Sequence, residues 1–400
     1  GFRPSRAPGA EWRGGSALAP AVAVGSHRAA GELERLFVVQ ADGTLWCYRV
    51  RRPQSLEQGA SMSLGMALSL ATSPAATAPA LPASRPSTLQ PELDLEAKFQ
   101  LPGLEDGSGL QERLLADPAF ARQACAWAFL PAQRFFARGG FSNGSVLFGS
   151  ASQQHAHHLP HAHLATVSAV ALSQEIAGRV RGARGCLLMT GARDGTVAIW
   201  TAADEQWQSF KRLVTWQVHL AGVRCVDFGE HLGLALSCAE DGLVNVYDLR
   251  PPMRPRYTFA FEGRAPVLEA RFAARAPASV VARCGGTPGA PGGQLCVWAM
   301  HGFRLAALAP ASPLLGMRVV SEGGAGEALL CASGDGHVEL LSLPYLHAVW
   351  RVSCQWSLRP TALDTCPGRS FAWLGHEDGS FGAVYAKSRA AVEAEGRQPT

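Results

Sequence analysis

Apolar and polar residues alternate with period two along short runs of this chain, and the runs come in pairs joined by a tight turn signal. FVVQADGTLWCYRV turns at Asp42-Gly43, FARGGFSNGSVLFGS at Asn143-Gly144 and LLMTGARDGTVAIW at Asp194-Gly195. LALSCAEDGLVNVYDL turns at Asp241-Gly242, GAPGGQLCVWAM at Gly292-Gly293, LLCASGDGHVELLSL at Asp335-Gly336 and FAWLGHEDGSFGAVY at Asp378-Gly379. Alternation sends successive side chains to opposite faces of a strand, and Asp-Gly or its equivalents supply the left-handed backbone that a two-residue hairpin needs. The pattern predicts seven β-hairpins.

The turns stand at positions 42, 143, 194, 241, 292, 335 and 378, spaced by 101, 51, 47, 51, 43 and 43 residues. A period of 40 to 50 residues made only of strands points to a propeller with one four-stranded sheet per repeat. Helical arrays have similar periods, but these runs alternate by two and carry glycine at the turn. The first interval is double. Its excess falls on residues 51–96, within which Gln58–Ser84 carries no charge and is dominated by Ala, Ser and Thr, interrupted by Pro74, Pro79 and Pro82. That composition reads as a flexible low-complexity insertion rather than a membrane span. The expected fold is an all-β, seven-bladed propeller over 21–386 with this insertion between blades 1 and 2. Residues 1–20 are a linker that supplies the closing strand, since the tail at 387–400 offers none, and an unpaired last edge needs a latch.

The repeats share finer detail. Six residues beyond the turn stand Tyr48, Trp200, Tyr247 and Trp298, an aromatic slot that is Gly149, Leu341 and Val384 in the other repeats. HLATVSAVAL and HLAGVRCVDF each open with a histidine, His163 and His219, ahead of an alternating run. In a propeller blade the histidine enters the inner strand at the end to which the turn aspartate returns. A buried imidazole needs a partner for each ring nitrogen. Two structural networks are therefore predicted: His163, Thr190, Asp194 and Trp200, and His219, Ser237, Asp241 and Tyr247.

At these residues the chain resembles the WD-repeat family, most clearly over 163–248. That family's signature is a His-led inner strand, an Asp-Gly type turn and a Trp-Asp pair closing the third strand. The order of features, from ERLFVVQADGTLWCYRV through QERLLADPAFARQACAWAF and FFARGGFSNGSVLFGS to PTALDTCPGRSFAWLGHEDGSFGAVY, also resembles the C-terminal propeller of neurobeachin-type BEACH-domain proteins. That resemblance implies BEACH and pleckstrin-like modules upstream in the same full-length chain. It also implies a cytoplasmic scaffold, peripheral to endomembranes, in vesicle trafficking and membrane-protein sorting. The opening Gly1 followed by FRPSRAP, with no initiator Met or apolar signal segment, fits a piece of a longer protein.

Composition narrows the function. Hydrophobic residues at 47% are enough for a large core, and the net charge of +4 is spread rather than clustered. The densest basic run, RVRGAR at 179–184, lacks interleaved aromatics, which argues against a nucleic-acid groove. None of the ten cysteines is spaced as C-x-x-C, and most lie in apolar runs, as reduced core thiols do. No lysine follows a glycine, so there is no P-loop, and H-E-x-x-H is missing. GFSNG at 140–144 matches G-x-S-x-G, which would make Ser142 a hydrolase nucleophile. That motif must join a strand to a helix, and the strand-like SVLFGS follows.

HAHHLPHAH at 155–163 holds five of the twelve histidines. With His163 committed to a network, His155, His157, His158 and His161 are left in what reads as a solvated loop joining the second and third blades. A zinc site would favour convergent ligands with a supporting shell. No metal, cofactor or catalytic residue is assigned; the loop would instead gain charge near pH 6. The function expected is a non-catalytic platform binding other proteins through the propeller faces, with a Ser142 hydrolase as the alternative. The candidate contact residues are Arg193, Glu240 and Glu377, each just before its turn aspartate, and His158 beside them.

Overall fold

The computed structural model describes residues 21–27, 34–40, 44–51, 92–100, 126–130, 135–150, 155–180, 182–273, 278–286, 292–322, 326–353, 360–365, 371–376 and 381–385. In chain order the strands are β1 (Ala21–His27), β2 (Glu34–Gln40), β3 (Thr44–Arg51), β4 (Glu92–Gln100), β5 (Trp127–Leu130), β6 (Phe135–Arg138), β7 (Val146–Ser150) and β8 (His155–Leu159). There follow β9 (Val167–Ser173), β10 (Leu187–Ala192), β11 (Thr196–Ala202), β12 (Phe210–Gln217), β13 (Val223–Gly229), β14 (Leu234–Ala239), β15 (Leu243–Asp248) and β16 (Arg254–Ala260). The remainder are β17 (Val267–Ala273), β18 (Ser279–Cys284), β19 (Gln294–Ala299), β20 (Arg304–Leu308), β21 (Leu314–Glu322), β22 (Gly326–Ser333), β23 (His337–Ser342), β24 (His347–Ser353), β25 (Pro360–Thr365), β26 (Phe371–His376) and β27 (Phe381–Tyr385). Among the described residues the helical elements are two short 3-10 turns, Ala177–Arg179 and Glu262–Arg264.

The strands form sheets in strict sequence order, β1 to β4, β5 to β8, β9 to β12, β13 to β16, β17 to β20 and β21 to β24, then a three-stranded β25 to β27. The chain divides into two compact units. One, Gly1–Lys98 with Leu314–Thr400, holds the first sheet and the last two, and in it β25 packs against both β1 and β21. The other, Phe99–Pro313, holds the four sheets from β5 to β20, in which β9, β13 and β17, the first strands of consecutive sheets, lie side by side. The core lies between consecutive sheets: Val197 and Ile199 of β11 share one cluster with Val223, Val226 and Phe228 of β13.

Two irregularities recur. The first and second strands slip register at the same place in successive sheets, between Val223 and Cys225 and again between Val267 and Glu269. The third and fourth strands slip between Ile199 and Trp200, Val246 and Tyr247, Val297 and Trp298, and Leu340 and Leu341. The aromatic slot is thus a β-bulge position, where the local bend re-aims the side chain. Leu341 occupies it as well, so the bulge persists where the aromatic ring does not.

The turn glycines explain the repeat. Gly144, Gly195, Gly242, Gly293 and Gly336 all have positive φ, between 70° and 85°. A Cβ on Gly195 would stand 2.3 Å from the carbonyl oxygen of His219, so strain and space both demand glycine there. The His219 amide donates to the Gly195 carbonyl at 3.3 Å, and His163 does the same to Gly144 at 3.1 Å. Each turn is stapled to the loop that opens the next sheet.

Three expectations need amendment. Glu92–Gln100 is a strand, as its alternating ELDLEAKF allows, so 92–96 are not part of a flexible insertion, and Arg51 ends β3. Residues 52–91 lie outside the described residues, as do the proposed closing strand in 1–20 and the tail. His155–Leu159 is no loop: it pairs with β7 as the outer strand of its sheet, with Phe148 opposite His157.

Candidate functional site

His163 sits in the loop leading into β9 and is buried. Trp200 Nε1 donates to Thr190 Oγ1 at 2.9 Å, and that hydroxyl lies 2.7 Å from His163 Nε2. On the other side of the ring, Nδ1 lies 2.6 Å from Thr196 Oγ1, which donates to the Asp194 carboxylate. One run of protons satisfies every member: Trp200 to Thr190, Thr190 to Nε2, and Nδ1–H to Thr196, Thr196 to Asp194. This assigns a neutral imidazole protonated on Nδ1. Burial holds the ring pKa down at about 4, despite the pull of Asp194 and with some help from Arg212. The sequence grouped His163 with Asp194 directly. In fact Thr196 stands between them.

His219 enters β13 in the same way and is almost inaccessible. Its Nδ1 meets the Asp241 carboxylate at 3.0 and 3.2 Å, and its Nε2 lies 2.7 Å from Ser237 Oγ, which is 2.6 Å from the Tyr247 hydroxyl. Asn245 Nδ2 also approaches Nε2, at 3.3 Å, and its own oxygen accepts from Thr258. The Asp241 side chain, 5% exposed, further accepts the backbone amides of Leu220 and Leu243, each at 3.0 Å. Burial lowers the His219 pKa, and the Asp241 charge partly restores it. Tyr247 stacks on Trp216 of the preceding sheet at 4.4 Å between ring centres, and its own pKa is raised by burial.

These networks fix a rim. The Arg193 amide donates to Thr166 O and the Glu240 amide to Gly222 O, each at 3.0 Å, which ties each turn to the histidine loop of a first strand. Arg193 and Glu240 are exposed, and Glu240 also meets Arg224 at 3.5 Å. Two residues of these histidine loops were passed over by sequence reasoning: Leu164 is 98% and Leu220 89% exposed. The signal was present, since each follows a network histidine in the repeated tripeptide His-Leu-Ala. His158 is exposed near the same end of its sheet, edge-on to Phe141 at 5.8 Å. Glu377 lies outside the described residues.

The histidine strand does not gather ligands. Alternation sends His157 onto Phe148, stacked at 5.8 Å, while its neighbour His158 meets Phe141. Among the described residues no three His, Cys, Asp or Glu side chains are placed to hold a metal ion. Ser142 is exposed in the turn between β6 and β7, joining strand to strand where a nucleophile elbow joins strand to helix. His163, whose amide reaches Gly144 two residues on, has both ring nitrogens committed to threonines. It cannot serve Ser142 as a base.

Residues 210–248 match the family model described as "WD domain, G-beta repeat". The matched segment begins with β12, the outer strand of one sheet, and ends with β15 of the next, so the sequence repeat is offset from the structural sheet by one strand. Among solved structures, a chain of the "Crystal Structure of Mitotic Checkpoint Complex" matches with a TM-score of 0.50 at 16% identity, over 64% of this chain and 72% of that one. Because 1465 solved chains match, this likeness speaks for the fold and selects no partner. No curated protein matches the chain. The fold class is all-β, built of antiparallel sheets of the WD-repeat propeller kind. No helix among the described residues is long and apolar enough to cross a membrane.

Proposed function

We propose that the chain is a non-catalytic protein-interaction scaffold, a seven-bladed WD-repeat region of a larger BEACH-type protein in vesicle trafficking. The observation that carries the scaffold reading is the rim: Leu164 and Leu220 are held out in solvent on loops anchored by buried networks, with Arg193 and Glu240 beside them. Leaving two large aliphatic side chains bare has no benefit to folding, whereas rigid loops presenting apolar and arginine anchors suit protein recognition. The sevenfold count rests on the seven turn signals and the sequential sheets, and the BEACH context on the order of sequence features.

Two experiments test this. The purified chain is used as bait against cytosol, side by side with Arg193→Glu and with the double variant Leu164→Ser, Leu220→Ser. Partners lost by the variants at unchanged melting temperature support the rim, and every partner retained by both removes it. For the wider assignment, the reading frame upstream of Gly1 should encode a BEACH module, and another module there would overturn that part alone.

A further inference from the structure

The register slip between Val223 and Cys225 leaves Arg224 unpaired and sets Cys225 directly opposite Cys238 across β13 and β14. Among the described cysteines no other two are cross-strand partners. Directly opposed residues of an antiparallel pair have Cα atoms about 4.5 to 5.5 Å apart, inside the span a disulfide bridges. The Cys225 thiol donates to Ala270 O at 3.6 Å and the Cys238 thiol to Val267 O at 3.8 Å. Cys225 retains 8% exposure, and Cys238 has none.

The surroundings of Cys225 differ from those of the other core thiols. The Arg271 guanidinium lies close by, held by Glu269 at 2.9 Å and Asp227 at 3.5 Å, with its Nε–H left without an acceptor. The neighbouring Cys238 and the Arg271 charge pull the Cys225 thiol downward, against burial and the Glu269 charge, while burial holds Cys238 up. Burial drives Cys186 and Cys296 the other way, up to about 12. A partly exposed thiolate beside a cation, with a second thiol across the strand pair, is the arrangement in which cysteine reacts with peroxides.

We propose that Cys225 and Cys238 form a peroxide-oxidisable dithiol, Cys225 being the attacking sulfur and Cys238 the resolving one. The Cys225 thiolate attacks one oxygen of a hydroperoxide. The O–O bond breaks, the leaving oxygen takes a proton and departs as water or alcohol, and Cys225 becomes a sulfenic acid. The Cys238 sulfur then attacks Cys225 Sγ, its proton leaves with the sulfenic oxygen as a second water, and the disulfide forms. Two thiols are oxidised and one peroxide is reduced. The bond would tie together the hairpin whose ends carry the His219 loop and the Asp241 turn, placing a covalent lock beneath the rim.

The chain itself provides the assay. Trypsin cleaves after Arg224 and, since Arg250 and Arg254 each precede a proline, next after Arg256, releasing both cysteines in one peptide, 225–256. Hydrogen peroxide should remove two hydrogens from this peptide at least about tenfold faster than it oxidises Cys186 or Cys296, in a manner reversed by a dithiol reductant. In Cys238→Ser the sulfenic acid should persist and be captured by dimedone on Cys225, and Arg271→Lys should preserve the reaction that Arg271→Gln slows. Should any variant fail to fold, the wild-type peptide alone decides. A peptide 225–256 unchanged while the other cysteines oxidise, or oxidised no faster than they are, overturns the proposal.

Discussion

The sheets β9 to β12 and β13 to β16 follow one another in the chain and carry the same histidine at the same entrance, yet they complete their buried networks with different parts. In the first, the indole of Trp200 starts the run and Thr196 relays it to Asp194. In the second, Tyr247 starts it through Ser237, and His219 reaches Asp241 with nothing between. What the two share is the logic of satisfaction: every buried donor meets an acceptor, and one carboxylate near the surface ends the run. The parts can vary because a hydroxyl both gives and takes a proton, so one more can be inserted without reversing the sense of the chain. The variation also sets the load on each aspartate. Asp194 holds the amide and hydroxyl of Thr196, while Asp241 holds an imidazole and two backbone amides.

This difference predicts an order of effects. Asp241→Ala strands three donors and should cost about 3 kcal/mol in urea unfolding, against about 1 to 2 kcal/mol for Asp194→Ala; equal costs would break the comparison. Acid should weaken both networks. A histidine ordinarily takes its proton near 6.5, whereas folded His163 resists it to about 4, so between those values the unfolded chain binds more protons. Stability therefore falls as pH drops from about 6.5 to about 4, by about 3 kcal/mol for His163, and is flat with respect to this group above that window. His163→Gln should flatten part of the slope. Thr196→Val removes the relay and leaves Nδ1–H without an acceptor, a loss of about 1 to 2 kcal/mol that has no counterpart in the second sheet. The smallest effect belongs to the rim: Leu220→Ser should change stability by less than about 0.5 kcal/mol.

Much of this architecture was written in turn chemistry. Asp-Gly and its equivalents marked hairpins because only glycine tolerates the positive φ found at Gly195 and Gly242 beside a neighbouring loop. The four primary members of each network could be named because buried imidazoles must be paired. Thr196 was missed since a threonine that begins a strand fits strand propensity alone, which hides its second role. Asn245 left a clearer trace: a polar amide within LVNVYDL is out of place in a strand unless it has buried partners. The histidine strand misled through composition. Five histidines around a proline look like a solvated loop, and H-A-H-H-L breaks alternation at His157-His158, but a strand at a sheet's edge tolerates polar side chains on both faces. The bulge beneath the aromatic slot left no trace, because it is a property of two strands in register rather than of one.

The claim on which the account rests is that both imidazoles are buried, neutral and protonated on Nδ1, and so hold the rim loops in place. Long-range proton–nitrogen NMR of the histidine rings across pH 4 to 8 tests it most directly. The account predicts Nδ1–H tautomers for His163 and His219, both titrating below 6.5, with His163 the lower because a hydroxyl separates it from its carboxylate. Two rings that titrate near 6.5 and exchange freely between tautomers would contradict it.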